Sequence, residues 1–170
     1  MADDEKKRID SAYHESGHCL CYVLDKREIK YVTIKHENDF GRTEGEKGSY
    51  FRKESFKKGL LIALYKASIM LVSGGLSELI YYNSEITDFT NPEWNKILGW
   101  SDYIKADDLG LTSCLNYARI PAENRLRKYW YAVTALTPVL LEKDYLPGKE
   151  AYSIIDTVIK EHRKKLDLFS

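Results

Sequence analysis

The segment His14-Glu15-Ser16-Gly17-His18 combines residue types that suit metal-dependent hydrolysis. Two histidines four residues apart lie about 40° apart around a helix axis, so both imidazoles project from one face and can bind one divalent ion. Imidazole is a common zinc ligand, and the intervening glutamate can act as a general base on a metal-bound water molecule. The spacing therefore predicts a zinc centre in which Glu15 is the catalytic residue.

A catalytic zinc ion needs a third protein ligand and one open coordination position. Spacing along the chain leaves that ligand open among the downstream acidic and histidine residues. The candidates are His36, Glu78, Asp102, Asp107, Asp108 and His162. A structural zinc site is an alternative, but it would need four protein ligands. Cys21, three residues after His18, could approach the same face for such a site, although a cysteine at this kind of position more often packs as a small apolar residue.

The motif lies within a segment predicted to form an amphipathic helix, from about residue 6 to residue 24. Apolar or small residues recur there at spacings of three and four, the period of a helix with one buried face. They are Ile9, Tyr13, Ser16, Leu20 and Leu24. Because His14 and His18 lie away from the centre of this stripe, we expect them to line a cleft outside the core.

A small β element, at about residues 29–46, is predicted after this helix. Residues 29–35 are rich in β-branched side chains, which favours a strand, and a turn signal at 38–41 precedes a short returning strand at 42–46. We expect the edge of the first strand, at Val32 and Ile34, to bind an extended peptide by strand addition.

The remainder of the chain is predicted to be helical. Helices are expected at about residues 55–82, 101–118, 120–143 and 149–165. Pro121 is expected to lie in the first turn of a new helix, and Pro138 is expected to break or kink that helix. The residues Leu146-Pro147-Gly148 indicate a turn. The fold class is therefore mainly α with a small β element.

Composition favours a single globular domain covering residues 1–170. Lys plus Arg and Asp plus Glu both number 26, and this neutral balance disfavours nucleic acid as a partner. The charged N-terminus has no signal-peptide pattern, and the most apolar stretch, residues 60–72, is too short to span a membrane. Three cysteines without a CxxC pair predict no disulfide framework. We therefore expect a cytoplasmic protein without a membrane span.

Residues 12–18 resemble the zinc helix of the FtsH-type peptidase domain of AAA proteases, whose pattern is close to A-x-H-E-x-G-H. Further matches follow in the order of that family. They are residues 29–34 (its next strand), Gly41-Arg42-Thr43 (its following turn), 74–80 (G-R-A-A-E-E-I), 86–87 (the start of I-T-T-G-A-S-N-D-L) and 140–150 (L-L-E-K-x-x-L-x-G-x-E). Many metalloproteases share the zinc motif, whereas the ordered set is more specific to this family.

In that family the third zinc ligand is an aspartate in S-N-D-L-x-x-A-T-x-I-A. Two registers of this chain match the pattern. The register through Asp102 keeps small and apolar residues at the expected spacings, whereas the register through Asp108 places polar residues there. The resemblance thus implies Zn²⁺ bound by His14, His18 and Asp102, with Glu78 as a carboxylate that orients the site.

The resemblance implies a zincin-like helical metallopeptidase domain that hydrolyses peptide bonds in protein or peptide substrates. Relatives carry a membrane anchor and an ATPase ahead of this domain, and we expect neither here, so a separate ATPase or adaptor protein is an expected partner. The alternative is a catalytically weak or inactive binding or regulatory module, with Trp94 and Trp100 as candidate contacts to a protein partner. A zinc hydrolase acting on a non-peptide amide is a third possibility.

Overall fold

A computed structural model describes residues 2–35, 41–45, 57–84 and 108–168. These residues form five α-helices and one three-stranded sheet. In chain order the elements are α1 (Ala2–Leu24), β1 (Ile29–Thr33), β2 (Arg42–Gly45), α2 (Lys57–Tyr81), α3 (Asp108–Lys128), α4 (Trp130–Lys143), β3 (Tyr145–Pro147) and α5 (Gly148–Asp167). The predicted class, mainly α with a small β element, is confirmed for this part of the chain.

The helix that carries the motif, α1, lies in the middle of the described structure. Every residue from Glu15 to Val23 is buried, because α2, α4, α5 and the sheet all pack around this half of the helix. The contact with α2 is close at Gly17, where a Cβ would lie only 2.5 Å from the carbonyl oxygen of Ser73. The Ser73 hydroxyl donates a hydrogen bond to the carbonyl oxygen of Gly17 at 3.1 Å. This contact sets the distance between the two helices next to the motif.

One hydrophobic core joins the described elements. Its largest fully buried side chains come from all five helices and from two strands. They are Leu20, Val32, Leu76, Leu126, Leu136, Leu140, Leu146 and Ile155. Burying a side chain of this size contributes about 1.5–3 kcal/mol relative to leaving it in water, so the motif helix is stabilised by contacts from many distant parts of the sequence.

The sheet has the strand order β2-β1-β3, with both pairs antiparallel. The predicted turn at residues 146–148 is wrong, because Tyr145–Pro147 forms β3 and pairs with β1. A three-residue strand has no periodicity that the sequence could reveal, and it forms here because α4 ends directly beside β1. Asp144, at a left-handed φ of 58°, ends α4, and its carbonyl oxygen accepts a hydrogen bond from the Ile34 amide at 2.9 Å.

The central place of β1 corrects the expectation about peptide binding. Both edges of β1 are paired within the sheet, one with β2 and the other with β3. An extended peptide needs unpaired backbone groups at a strand edge. The prediction that a peptide adds to β1 around Val32 is therefore wrong.

Neither Pro121, predicted to begin a helix, nor Pro138, predicted to break or kink one, lies at a helix boundary. Helix α3 runs through Pro121, and α4 contains Pro138 without interruption, whereas the break between them falls at Tyr129. Proline removes one backbone hydrogen bond, yet Ala118, Ala122 and other residues at four-residue spacing are buried on one face of α3. Tertiary packing of that face outweighs the lost bond.

The start of the helix predicted at residues 101–118 lies outside the described residues, whereas residues 108–118 form the first part of α3. In the described ranges, no helix is both long enough and apolar enough to cross a membrane.

Candidate metal centre

The imidazoles of His14 and His18 converge on one point at the surface of α2. Their ring centroids are 4.7 Å apart, and the ring planes are almost perpendicular, at 81°. A Cβ placed on Gly74 would lie 2.5 Å from Nε2 of His14 and 2.7 Å from Nε2 of His18. Both nitrogens therefore lie within 2.7 Å of a single position that glycine leaves open. Two imidazoles that share a metal ion, with nitrogen–zinc distances of about 2.0–2.1 Å, need a convergence of this kind.

The other nitrogen of each ring is held by α2. Nδ1 of His14 is hydrogen-bonded to Oε1 of Glu78, and Nδ1 of His18 is 2.8 Å from the carbonyl oxygen of Met70. Both oxygens are acceptors, so in its neutral form each ring would donate its Nδ1 proton and present the lone pair of Nε2. This is the pattern in which the partners of metal-binding histidines orient the rings.

The expectation that both histidines line an open cleft is wrong for His18, which is only 4% exposed. The helical periodicity of α1 predicts a position away from the core for His18. In the structure, α2 covers that face of α1 and buries the side chain. The side chain of His14 is 20% exposed and that of Glu78 is 33% exposed. The pair of rings thus extends from the interior towards solvent, with His14 at the outer end.

Glu15 is also buried, at 3% exposure, and its carboxylate contacts the sheet region. The hydroxyl of Thr43, on β2, donates a hydrogen bond to Oε2 of Glu15 at 2.7 Å. Gly41 lies against the same side chain, since a Cβ there would be 2.8 Å from Oε1. The carboxylate is therefore confined between residues 41 and 43. Because adjacent helical residues differ by about 100° in direction, one turn of α1 presents the rings to α2 and this carboxylate to β2.

Sequence reasoning did not select Thr43 as a functional residue. The sequence placed this residue in the predicted returning strand at 42–46 and in the turn that the family resemblance implies. Its contact with Glu15 depends on the pairing of β2 with β1, which brings β2 back across α1. A threonine in a short strand carries no other signal.

The predicted third ligand is not placed by the structure. Asp102, Asp107 and His36 lie outside the described residues. The backbone of Asp108 begins α3, which packs against α2, but its side chain is not described. Within the ranges that are described, no group of three or more His, Cys, Asp or Glu side chains is placed to hold a metal ion.

Two other candidates are placed clearly. Glu78 is brought to the site, but through the Nδ1 side of His14, which is the position of an orienting carboxylate. His162 is exposed on α5, where its ring stacks on Tyr131 with centroids 4.1 Å apart. The structure therefore separates His162 from the convergence point at Gly74.

Cys21 packs inside the core and is not brought to the convergence point. Burial raises the pKa of its thiol, while a hydrogen bond with Ser73 and the nearby charge of Arg125 lower it to a smaller extent. Burial also raises the pKa of the neighbouring Cys19 thiol. Both cysteines are free thiols and behave as small buried residues.

Aromatic rings stack beside the start of the motif. The ring of Tyr13 lies 3.9 Å from that of Tyr81 and 5.7 Å from that of Trp130, in both cases nearly parallel. This stack joins α1 to α2 and α4 next to His14, so it restricts how far α1 can slide along its neighbouring helices at the motif. Trp94 and Trp100, the predicted partner contacts, lie outside the described residues.

No known family model and no curated protein sequence matches this chain. The likeness to FtsH-type peptidase domains stays a prediction that depends on the ordered motifs.

Proposed function

We propose that this chain is a zinc metallopeptidase that hydrolyses peptide bonds with Glu15 as its general base. The observation that carries the proposal is the convergence of Nε2 of His14 and Nε2 of His18 on one position, which Gly74 leaves open. The proposed third ligand is Asp102, on the evidence of the motif register, with Asp108 as the alternative. The helical fold with its small sheet is compatible with a zincin-like peptidase domain.

The donors that are described fit a zinc ion. Two imidazoles with hydrogen-bonded Nδ1 atoms are suitable zinc ligands, and one of their partners is the carboxylate of Glu78. A bound zinc ion would supply a Lewis acid that polarises a peptide carbonyl and activates water. His14 and His18 would hold the ion, and Glu15 would take a proton from the attacking water and pass it to the leaving amine.

An extended substrate would add to β2. Within the part of the chain that is described, β2 pairs with β1 alone. The strand also contributes Thr43, the residue that contacts the Glu15 carboxylate. A peptide paired with this strand by backbone hydrogen bonds would therefore run close to the proposed general base. A separate ATPase or adaptor would deliver folded proteins, whereas flexible peptides would need no helper.

The test compares zinc content and peptide hydrolysis in the wild-type chain and in Glu15→Gln. A fluorescent unfolded protein serves as substrate. The variant should keep its zinc and lose about 10²–10⁴-fold in kcat, the usual contribution of a general base. Glu123→Gln is the matched control, because Glu123 pairs with Arg127 on the surface of α3 at 2.8 Å.

The outcomes separate the alternatives. A wild-type chain that binds no zinc after reconstitution would contradict the proposal. A chain that is loaded with zinc but cleaves neither proteins nor peptides would favour a binding or regulatory module, or a hydrolase for another amide. Loss of zinc in Asp102→Ala but not in Asp108→Ala would assign the third ligand to Asp102, and the reverse result would assign it to Asp108.

A further inference from the structure

The hydroxyl of Thr43 is placed to control one side chain of the proposed site. Its Oγ1 lies 2.7 Å from Oε2 of Glu15 and 3.3 Å from the backbone oxygen of the same residue. The buried Sγ of Cys19, one helical turn further along α1, is 3.7 Å from Oγ1 of Thr43. The hydroxyl therefore lies between two consecutive turns of the motif helix, and its closest contact is with the carboxylate.

The hydrogen bond between the Thr43 hydroxyl and the Glu15 carboxylate belongs to a strong class. A hydrogen bond from a neutral hydroxyl to an ionised carboxylate is shorter and about twice as strong as one between neutral groups. Glu15 is 3% exposed, so little water competes with Thr43 for Oε2. On the opposite side, the absence of a side chain at Gly41 gives Oε1 its space. The two residues of the β2 region thus determine where the carboxylate can be.

We propose that Thr43 is the positioning residue of Glu15: its hydroxyl selects the one side-chain conformation from which the carboxylate can exchange a proton with the reacting groups. The inference rests on the proposed peptidase function. A glutamate has several staggered conformations, and proton transfer requires heavy atoms within hydrogen-bond reach. Thr43 acts through Glu15 and not on the substrate. Its loss should therefore slow the reaction without weakening substrate binding.

The first arm of the test measures steady-state peptide hydrolysis by zinc-loaded Thr43→Val and Thr43→Ser. Valine keeps the shape of threonine but has no hydroxyl, and we expect kcat to fall about 10–100-fold, which is the scale of a small misplacement of a catalytic group. KM should change less than about twofold, and zinc content should not change. Serine retains the donor, so Thr43→Ser should keep most of the wild-type kcat.

Thr134→Val is the matched control. The Thr134 hydroxyl bonds only to backbone oxygens of its own helix, at 3.2 Å from Trp130 and 3.1 Å from Tyr131, and the residue is exposed. The same change there should leave kcat and KM as in the wild type. Should Thr43→Val fail to fold, Thr43→Ala removes the same hydroxyl without adding volume.

Three kinetic results would overturn the inference. An unchanged kcat in Thr43→Val would show that the hydroxyl is not needed. A loss in Thr43→Ser as large as that in Thr43→Val would make the methyl group, and hence packing, the important feature. A raised KM with an unchanged kcat would place Thr43 in substrate binding.

The second arm needs no activity. Thermal unfolding midpoints of the full chain are compared for the wild type, Thr43→Val, Glu15→Ala and the double variant, with and without zinc. If the two side chains interact, Thr43→Val should lower the midpoint less in the Glu15→Ala background than in the wild type, because the acceptor is already gone. Additive midpoint shifts would contradict the contact, whether or not the chain is a peptidase.

The two arms distinguish the two failures. Non-additive midpoints in a chain that hydrolyses nothing would leave the Thr43–Glu15 contact intact but overturn the proposed function, and with it any positioning role in catalysis. Hydrolysis that depends on Glu15 but not on the Thr43 hydroxyl would keep the function and overturn the positioning role.

Discussion

His14 on α1 and Glu78 on α2 are 64 residues apart in the sequence and share a hydrogen bond between Nδ1 and Oε1. The residues next to them make a second link, since the hydroxyl of Ser77 donates to the carbonyl oxygen of Tyr13. These adjacent bonds tie the orientation of the His14 ring to the packing of two helices. Any metal bound at Nε2 of His14 would therefore depend on α2 as well as on the motif helix.

Glu78→Gln should weaken zinc binding about 10–100-fold, the effect usually found when the carboxylate partner of a ligating histidine is lost. The amide carries no charge, so it stabilises the polarised imidazole less than the carboxylate does. Competition with a zinc chelator measures the affinity. Glu123→Gln should leave it unchanged, and equal affinities for Glu78→Gln and the wild type would contradict an orienting role for Glu78.

Gly74→Ala should abolish zinc binding. The added methyl group would lie 2.5 Å and 2.7 Å from the Nε2 atoms of His14 and His18, so it would occupy the position where we expect the ion. Zinc content after reconstitution checks the prediction. Gly75→Ala is the matched control, since it makes the same change one residue further along α2, about 100° around the helix.

Both variants replace a glycine inside a helix by alanine. This replacement by itself stabilises the helix by about 1 kcal/mol, because alanine has the higher helix propensity. Gly75→Ala should therefore keep its zinc and lose no stability from helix propensity. If Gly74→Ala binds zinc as tightly as Gly75→Ala does, the ion is not held between the two rings.

Asp144→Asn should reduce stability at neutral pH by about 0.5–2 kcal/mol, because it removes two partly exposed ion pairs that contribute about 0.2–1 kcal/mol each. The Asp144 carboxylate pairs with Lys35 Nζ at 2.6 Å and with Arg8 Nη2 at 2.9 Å, and it thereby connects α1 and the segment that follows β1 to the end of α4. The hydrogen bond from Lys35 is the main cause that lowers the pKa of this carboxyl, and the hydrogen bond from Arg8 lowers it further. Burial acts in the opposite direction and raises the pKa by less. Asparagine tolerates the left-handed φ of 58°, so the substitution removes mainly the charge.

The effect of Asp144→Asn should depend on pH in a defined direction. A carboxyl whose pKa is lower in the folded protein than its unfolded value of about 3.9 stabilises the fold above that value, and this contribution is lost as the pH falls through the folded pKa. Urea unfolding at a series of pH values should show the wild type and the variant converging below about pH 4. A difference that stays constant down to pH 2 would contradict the prediction.

Cys19 and Cys21 should resist thiol reagents in the folded protein. Burial raises the pKa of both thiols, and only the thiolate reacts. The experiment uses Cys114→Ser with Ellman's reagent at pH 8, so that only these two cysteines are counted. Two thiols should react in guanidinium and neither should react quickly without it. Rapid reaction of the native variant would show that α1 is not enclosed as described.

Several elements were predictable from local pattern. Helix α1 and strand β1 lie close to their predicted ranges because long periodic segments carry a strong signal. Strand β3 and the continuity of α3 through Pro121 were not predictable, since both depend on packing with residues distant in sequence. The burial of His18 was missed for the same reason, because periodicity within α1 does not show that a second helix covers the polar face.

The sequence by itself determined the chemistry that is possible at this site, because the residue types and the four-residue spacing of His14 and His18 depend only on helix geometry. The resemblance of residues 74–80 to a family motif also indicated Glu78 as a carboxylate that orients the site. Tertiary structure decided how these groups are used. The close approach of α2 at Gly74 makes the two Nε2 atoms converge, and the pairing of β2 brings Thr43 to Glu15. Contacts of this kind form between residues that no local pattern relates, so they arise only when the core assembles.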